Sequence, residues 1–261
     1  MSSTFRDILG IRTRIHDSQT QGKPVLLIHG LGGSIDSWGG SIDAIATRHR
    51  VIAVDLPGFG QTDKPKMNYS IRFYTDFVAR LIESGPNPVS IVGSSLGGQI
   101  AAETAIKIPE LVSKLILICP AGIPPFSFKG GEALRRYAKI AEAKGEQDVK
   151  RILALIDDSH VNDEYAKSVY QRISMPGARE AFIGALRGSA RAPRLGKRIG
   201  KIRSPVMVLW GQNDKMIPPK YAAPFIGMQN FRLIMIENCG HRPHADRPEL
   251  FNNLVLSFLE N

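Results

Sequence analysis

Six apolar runs recur along this chain, and helical patterns alternate with them. They are Val25–His29, Val51–Asp55, Val89–Gly93, Leu115–Cys119, Val206–Gly211 and Phe231–Ile236. A strand exposed on one face alternates apolar and polar residues, whereas these runs stay apolar almost throughout. Such strands need cover on both faces, as in a parallel sheet between two helical layers. Ile11–Ile15 does alternate and reads as a partly solvated early strand. Ile71–Ser84 carries Ile71, Tyr74, Phe77, Val78, Leu81 and Ile82 on one helical stripe, and Pro248–Leu259 closes the chain as a helix opened by proline. The fold class expected is α/β, a largely parallel, doubly wound sheet.

After Pro120-Ala121-Gly122 the alternation stops. From Ile123 to about Arg203 no strand pattern is found, and Glu132–Lys144, Val149–Ile156, Asp163–Ile173 and Arg179–Leu186 read as amphipathic helices. Residues 1–122 and 204–261 are therefore expected to form the core and 123–203 an inserted helical lid. Phe126, Phe128 and Met175 are assigned to the lid core or the pocket lining.

The chemistry is carried by Gly93-Ser94-Ser95-Leu96-Gly97. It joins the apolar run Val89–Val92 to the helix-forming stretch Gln99–Ala105. In a strand–turn–helix setting this pattern makes a tight, strained turn that lifts the central hydroxyl above the sheet. Small neighbours let strand and helix approach, and Ser94 is taken as packing. Two further loops follow strand-like runs: Gly211-Gln212-Asn213-Asp214, and Cys239-Gly240-His241. In an open α/β sheet the loops at the carboxyl ends of strands share one edge, where ligands bind.

A serine needs a base near neutral pH, and imidazole titrates in the right range. Ser95 is thus the expected nucleophile, His241 the base and Asp214 the group that orients the imidazole. Asp246 is the rival acid, but it lies five residues from His241 and not in a separate strand-end loop. The backbone N–H groups of Leu96 and Leu31, the latter within His29-Gly30-Leu31-Gly32-Gly33, are expected to bind the developing oxyanion. His29 and His244 are read as structural.

Together these motifs resemble the α/β-hydrolase superfamily over nearly the whole chain. The blocks are His29–Ser34, Asp55-Leu56-Pro57-Gly58-Phe59-Gly60, Gly93–Gly98, Gly211–Asp214 and Gly240-His241. The resemblance implies an eight-stranded, mostly parallel sheet with a helical cap. Within the superfamily the chain is most similar to serine carboxylesterases and to hydrolases that cleave carbon–carbon bonds in aromatic ring-fission products. The latter often have Asn before the nucleophile and Trp after the histidine, where this chain has Ser94 and Arg242. They also use a lid arginine for the substrate carboxylate, a role open to Arg172 or Arg179. These departures favour a serine carboxylesterase acting through an acyl-enzyme. The carbon–carbon hydrolase is the alternative, and a non-catalytic binding protein of the same fold is the third reading.

Composition bounds the rest. The net charge is +10, and Gly122–Arg203 holds 17 Lys or Arg against 9 Asp or Glu. The run from Arg187 through Arg191, Arg194, Lys197, Arg198 and Lys201 to Arg203 contains no acid. Neither interleaved aromatics nor a nucleic-acid motif accompanies it, so a solvated basic face is the expected meaning. Attraction of an anionic substrate is the second. Cys119 and Cys239 are the two cysteines, read as reduced and buried. No zinc-type ligand spacing, phosphate-binding loop or dinucleotide fingerprint occurs, so neither metal nor organic cofactor is expected. The expected partner is a small-molecule ester or ketone, without nucleic acid or integral membrane association. Oligomeric state stays open, a homo-oligomer included, and the compartment expected is the cytoplasm.

Overall fold

The computed structural model describes residues 3–123, 132–156 and 161–261. Phe126 and Phe128 lie outside them. In chain order the elements begin β1 (Thr4–Ile8), β2 (Ile11–Asp17), β3 (Pro24–Ile28), α1 (Ser41–Ala46), β4 (Arg50–Val54), α2 (Ile71–Glu83), β5 (Val89–Ser94), α3 (Leu96–Lys107) and β6 (Val112–Ile118). The helices α4 (Glu132–Ala138), α5 (Glu146–Ala154), α6 (Asp163–Ile173) and α7 (Ala178–Arg191) follow. Then come β7 (Val206–Gly211), β8 (Phe231–Ile236), α8 (Pro243–Asp246) and α9 (Pro248–Glu260).

The strands form one eight-stranded sheet in the order β1-β2-β4-β3-β5-β6-β7-β8. β1 and β2 pair antiparallel, as do β2 and β4, and all other pairs are parallel. The inner strands are buried along almost their whole length, which is what the continuous apolar runs require. α2 is capped by Ser70 Oγ, which accepts from the Phe73 N–H. It buries Ile71, Tyr74, Phe77, Val78, Leu81 and Ile82, the stripe read from its spacing.

Three differences from the sequence reading have physical causes. β1 is the eighth strand. Four of its five residues are exposed, so it carries no apolar signal. The helix expected over Glu132–Lys144 breaks into α4 and a 3-10 turn at Lys139–Glu142. α7 runs on to Arg191, beyond the expected Leu186, because its last turn is polar on the exposed side.

The chain leaves the sheet after β6, forms α4 to α7, and returns at β7. Two polar pairs cross the seam between this insert and the core. Ser189 Oγ donates to Gln99 Oε1, and the Arg198 guanidinium meets Glu103. The other members of the basic run, Arg187, Arg191, Arg194, Lys197, Lys201 and Arg203, are exposed. Among the described residues no helix is long and apolar enough to cross a membrane.

Candidate active site

β5 ends at Ser94 and α3 begins at Leu96, so Ser95 alone makes the turn between them. Its φ of 53° and ψ of −113° are strained for a residue with a side chain. Its backbone bonds hold it there: Ser95 N–H donates to Ile118 O at the end of β6 at 2.8 Å, and Ser95 O accepts from Ala121 N–H in the loop after β6 at 3.0 Å and from Gln99 N–H in α3 at 3.1 Å. The helix also crosses very near the end of β3. A Cβ on Gly97 would lie 2.5 Å from His29 O and 2.8 Å from Ile28 C, so only glycine fits.

Asp214 follows β7 and is 3% exposed; His241 follows β8. His241 Nδ1 and Asp214 Oδ2 are 2.7 Å apart, and Asp214 Oδ1 accepts from the Ile217 N–H at 2.8 Å. A proton on Nδ1, shared with the carboxylate, leaves Nε2 as the basic nitrogen. Asp246, the rival acid, serves a different purpose: its Oδ2 accepts from the Gly240 N–H at 2.7 Å and fixes the loop carrying His241.

Cys119 and Cys239 are free, buried thiols. Burial, reinforced by nearby Asp214, raises Cys119 well above the usual thiol range, while burial and Asp246 push Cys239 up to about 12. Cys119 is within 4.8 Å of the ligand atoms of Asp214 and His241, the one cluster among the described residues that could hold a metal. Two of its members are already joined by their own hydrogen bond.

The glycine-rich loop after β3 closes a turn, Gly33 N–H to Gly30 O at 3.0 Å, with Gly32 at φ +72°. Gly30 abuts Ser95: a Cβ there would meet Ser95 Cβ at 3.2 Å. His29 braces the loop from beneath. Its Nε2 accepts from the Leu56 N–H at 3.0 Å, so Nδ1 carries the hydrogen and donates to Gly30 O at 2.7 Å. Burial lowers its pKa and keeps the ring neutral. Asp55, in the second motif block, accepts from the Ile35 N–H at 2.6 Å and the Gln61 N–H at 2.8 Å beside the buried Arg14. His244 packs between Trp38 and Phe251.

A cavity of about 800 Å³ separates this sheet edge from the insert. Ser95, His241, Leu31 and Leu96 all line it, with Ser94 beside them. Its charged lining is Arg136, Arg172, Lys215, Lys220 and Arg242 against Asp36 and Glu132. Arg172 reaches it from α6, with Nε donating to Gly32 O at 3.1 Å and Nη1 to Ser168 Oγ at 2.5 Å. Arg179 does not reach it. Both its Nη groups donate at 2.7 Å to the carbonyls of Ala141 and Ala143, which makes it a brace inside the insert. Met175 is exposed, neither insert core nor lining. Arg242 lays its guanidinium 4.0 Å from the ring centroid of Tyr165 on α6, a planar group against a planar group. No local pattern marks Tyr137, Tyr165 or Trp38 as lining this cavity. They are ordinary aromatic positions until the insert is folded over the sheet.

The sheet order, the serine turn and the two strand-end loops define an α/β hydrolase. Residues 23–248 match the alpha/beta hydrolase fold family, and the chain belongs to it. It is 28% identical, over 98% of its own length and 68% of the relative's, to the dihydrolipoyllysine-residue acetyltransferase component of an acetoin cleaving system from Cupriavidus necator. Identity is 31%, over 96% of this chain and 88% of the relative, to a 2-hydroxy-6-oxo-6-(2'-aminophenyl)hexa-2,4-dienoic acid hydrolase from Metapseudomonas resinovorans. Among solved structures, a meta-cleavage product hydrolase from Pseudomonas fluorescens IP01 superimposes with a TM-score of 0.87 at 27% identity, covering 98% of this chain and 97% of the other.

Proposed function

We propose that this chain hydrolyses a carbon–carbon bond in ring-fission products of the 2-hydroxy-6-oxo-dienoate type, with Ser95, His241 and Asp214 as its catalytic set. The observation that carries the reading is similarity along the whole chain to hydrolases named for such products. The excess of cations on the pocket wall supports it, because the substrate is a carboxylate. The ester reading favoured by Ser94 and Arg242 uses the same residues and becomes the alternative.

Ser95 Oγ adds to the ketone carbonyl as His241 Nε2 takes its proton, and the N–H groups of Leu31 and Leu96 receive the oxyanion. Collapse breaks the carbon–carbon bond and leaves an acyl group on Ser95. The pair is accepted because the dienol first ketonises, its 2-hydroxyl proton moving to the carbon next to the ketone; that carbon then leaves as the conjugated enolate of the 2-oxo acid and takes the proton held by His241. Water, deprotonated by His241, then releases the acid. The positive charge of Arg172 on the wall favours the dienoate end of the substrate, and Arg179 has no part.

The test compares kcat/KM for a 2-hydroxy-6-oxo-6-aryl dienoate with that for p-nitrophenyl esters of increasing acyl length. Preference for the dienoate by at least about tenfold is expected, equivalent to about 1.4 kcal/mol of differential transition-state binding. Fast ester turnover with an inert dienoate would return the chain to the esterase reading.

A further inference from the structure

We propose that the helical insert holds the oxyanion-binding loop in shape, with Tyr137 and Arg172 as its positioning residues. The inference rests on the acyl-transfer chemistry above, whichever bond is cleaved. Tyr137 Oη on α4 donates to Leu31 O at 2.8 Å, and Arg172 Nε on α6 donates to Gly32 O at 3.1 Å. Consecutive carbonyls of the loop are thus bound from two separate helices of the insert. The ring of Phe182 on α7 closes over the same turn: a Cβ on Gly32 would stand 3.0 Å from Phe182 Cε2 and 3.2 Å from Tyr137 Oη.

The shape of the turn explains why this matters. Among its central residues Gly32 has positive φ and Leu31 does not, the signature of a type II turn. Types I and II differ by a flip of the central peptide, here Leu31–Gly32. In the observed form the Leu31 carbonyl points to the insert, where a hydroxyl receives it. The flipped form would withdraw it from Tyr137 and change the course of the chain beside Ser95. A donor that is slightly misdirected loses most of its value toward a developing charge, because the energy depends on preorganisation. Among the described residues, the core's side-chain hydrogen bond to this turn goes from His29 to Gly30 O, and those to the carbonyls of Leu31 and Gly32 come from the insert. Covering the pocket and completing the oxyanion site are therefore one event.

The test uses Tyr137→Phe, Arg172→Ala and Arg172→Lys in the full chain, with Tyr170→Phe as control. Tyr170 Oη also donates to a carbonyl within the insert, Lys144 O at 2.8 Å, away from the loop. For Tyr137→Phe, kcat should fall about tenfold with KM within about twofold, because the transition state loses more than the ground state. The second-order rate of Ser95 labelling by a fluorophosphonate should fall in parallel. Tyr170→Phe should change neither, though both tyrosine variants should melt at similar temperatures. Arg172→Lys, which keeps a donor, should recover part of the rate lost in Arg172→Ala. If the dienoate is inert but esters react, the proposed substrate fails and the clamp is judged on esters. If neither reacts, labelling decides. Wild-type rates in Tyr137→Phe, a change confined to KM, or a wild-type serine that does not label would each overturn the clamp.

Discussion

Replacing Gly97 by alanine puts one methyl group where the N-terminus of α3 meets the end of β3. That methyl would sit 2.5 Å from His29 O and 2.8 Å from Ile28 C, and closer still to Ile28 O. Carbon–oxygen contacts normally begin near ~3.3 Å, so relief requires the helix and strand to part by about 1 Å. No side chain can rotate away, because the obstructing atoms are backbone. The separation acts on both halves of the proposed oxyanion site, since Leu96 rides on α3 and Leu31 on the loop after β3. A displacement of about 1 Å in a catalytic constellation lowers the rate by roughly a hundredfold. Overpacking of this kind costs about 1–3 kcal/mol, which for a chain of this size lowers Tm by roughly 2–12 °C. The assay is kcat/KM beside a thermal melt for Gly97→Ala. Gly145→Ala serves as the reference, because a Cβ there meets nothing within 4 Å. Wild-type kcat/KM in Gly97→Ala would refute the close approach and the argument built on it.

Asp214→Asn should lower kcat by about 10⁴-fold while leaving the fold intact, because Asn at that site favours the wrong imidazole tautomer. Steady-state kinetics with circular dichroism check it, and a loss below tenfold would give the orienting role to another group. His29 is buried neutral with a lowered pKa, so the unfolded chain takes up a proton before the folded one does. Stability from this group is complete above the ordinary histidine pKa of about 6.5 and declines as pH falls below it, by up to about 1.4 kcal/mol per pH unit. Urea titrations from pH 7.5 to 5 should show a shallower decline in His29→Asn than in wild type, and equal slopes would contradict it.

The layered α/β architecture, the strained serine and the strand-end loops of Asp214 and His241 were legible in the sequence. Each rests on a local signal: the period of apolar residues, the small residues of a tight turn, and an acid or imidazole just past a buried strand. The sheet turns such local facts into a site, since parallel strands deliver their carboxyl ends to one edge. Edge strand β1 was not legible, because a strand exposed to solvent need not be apolar.

Tertiary structure decided which of several chemically equivalent side chains does what. Asp214 and Asp246 are both acids near the histidine loop, yet one meets the imidazole and the other a backbone N–H. Arg172 and Arg179 are both arginines of the insert, yet one faces the cavity and the other braces carbonyls of its own segment. No spacing distinguishes them, because the direction of a side chain depends on how one helix packs on another. The same holds for Tyr137, whose hydroxyl meets Leu31 across 106 residues of chain. Sequence determined which groups this protein carries and at which edge of the sheet they gather. The folded insert determined which of them face one another across the cavity, because that depends on contacts between residues far apart in the chain.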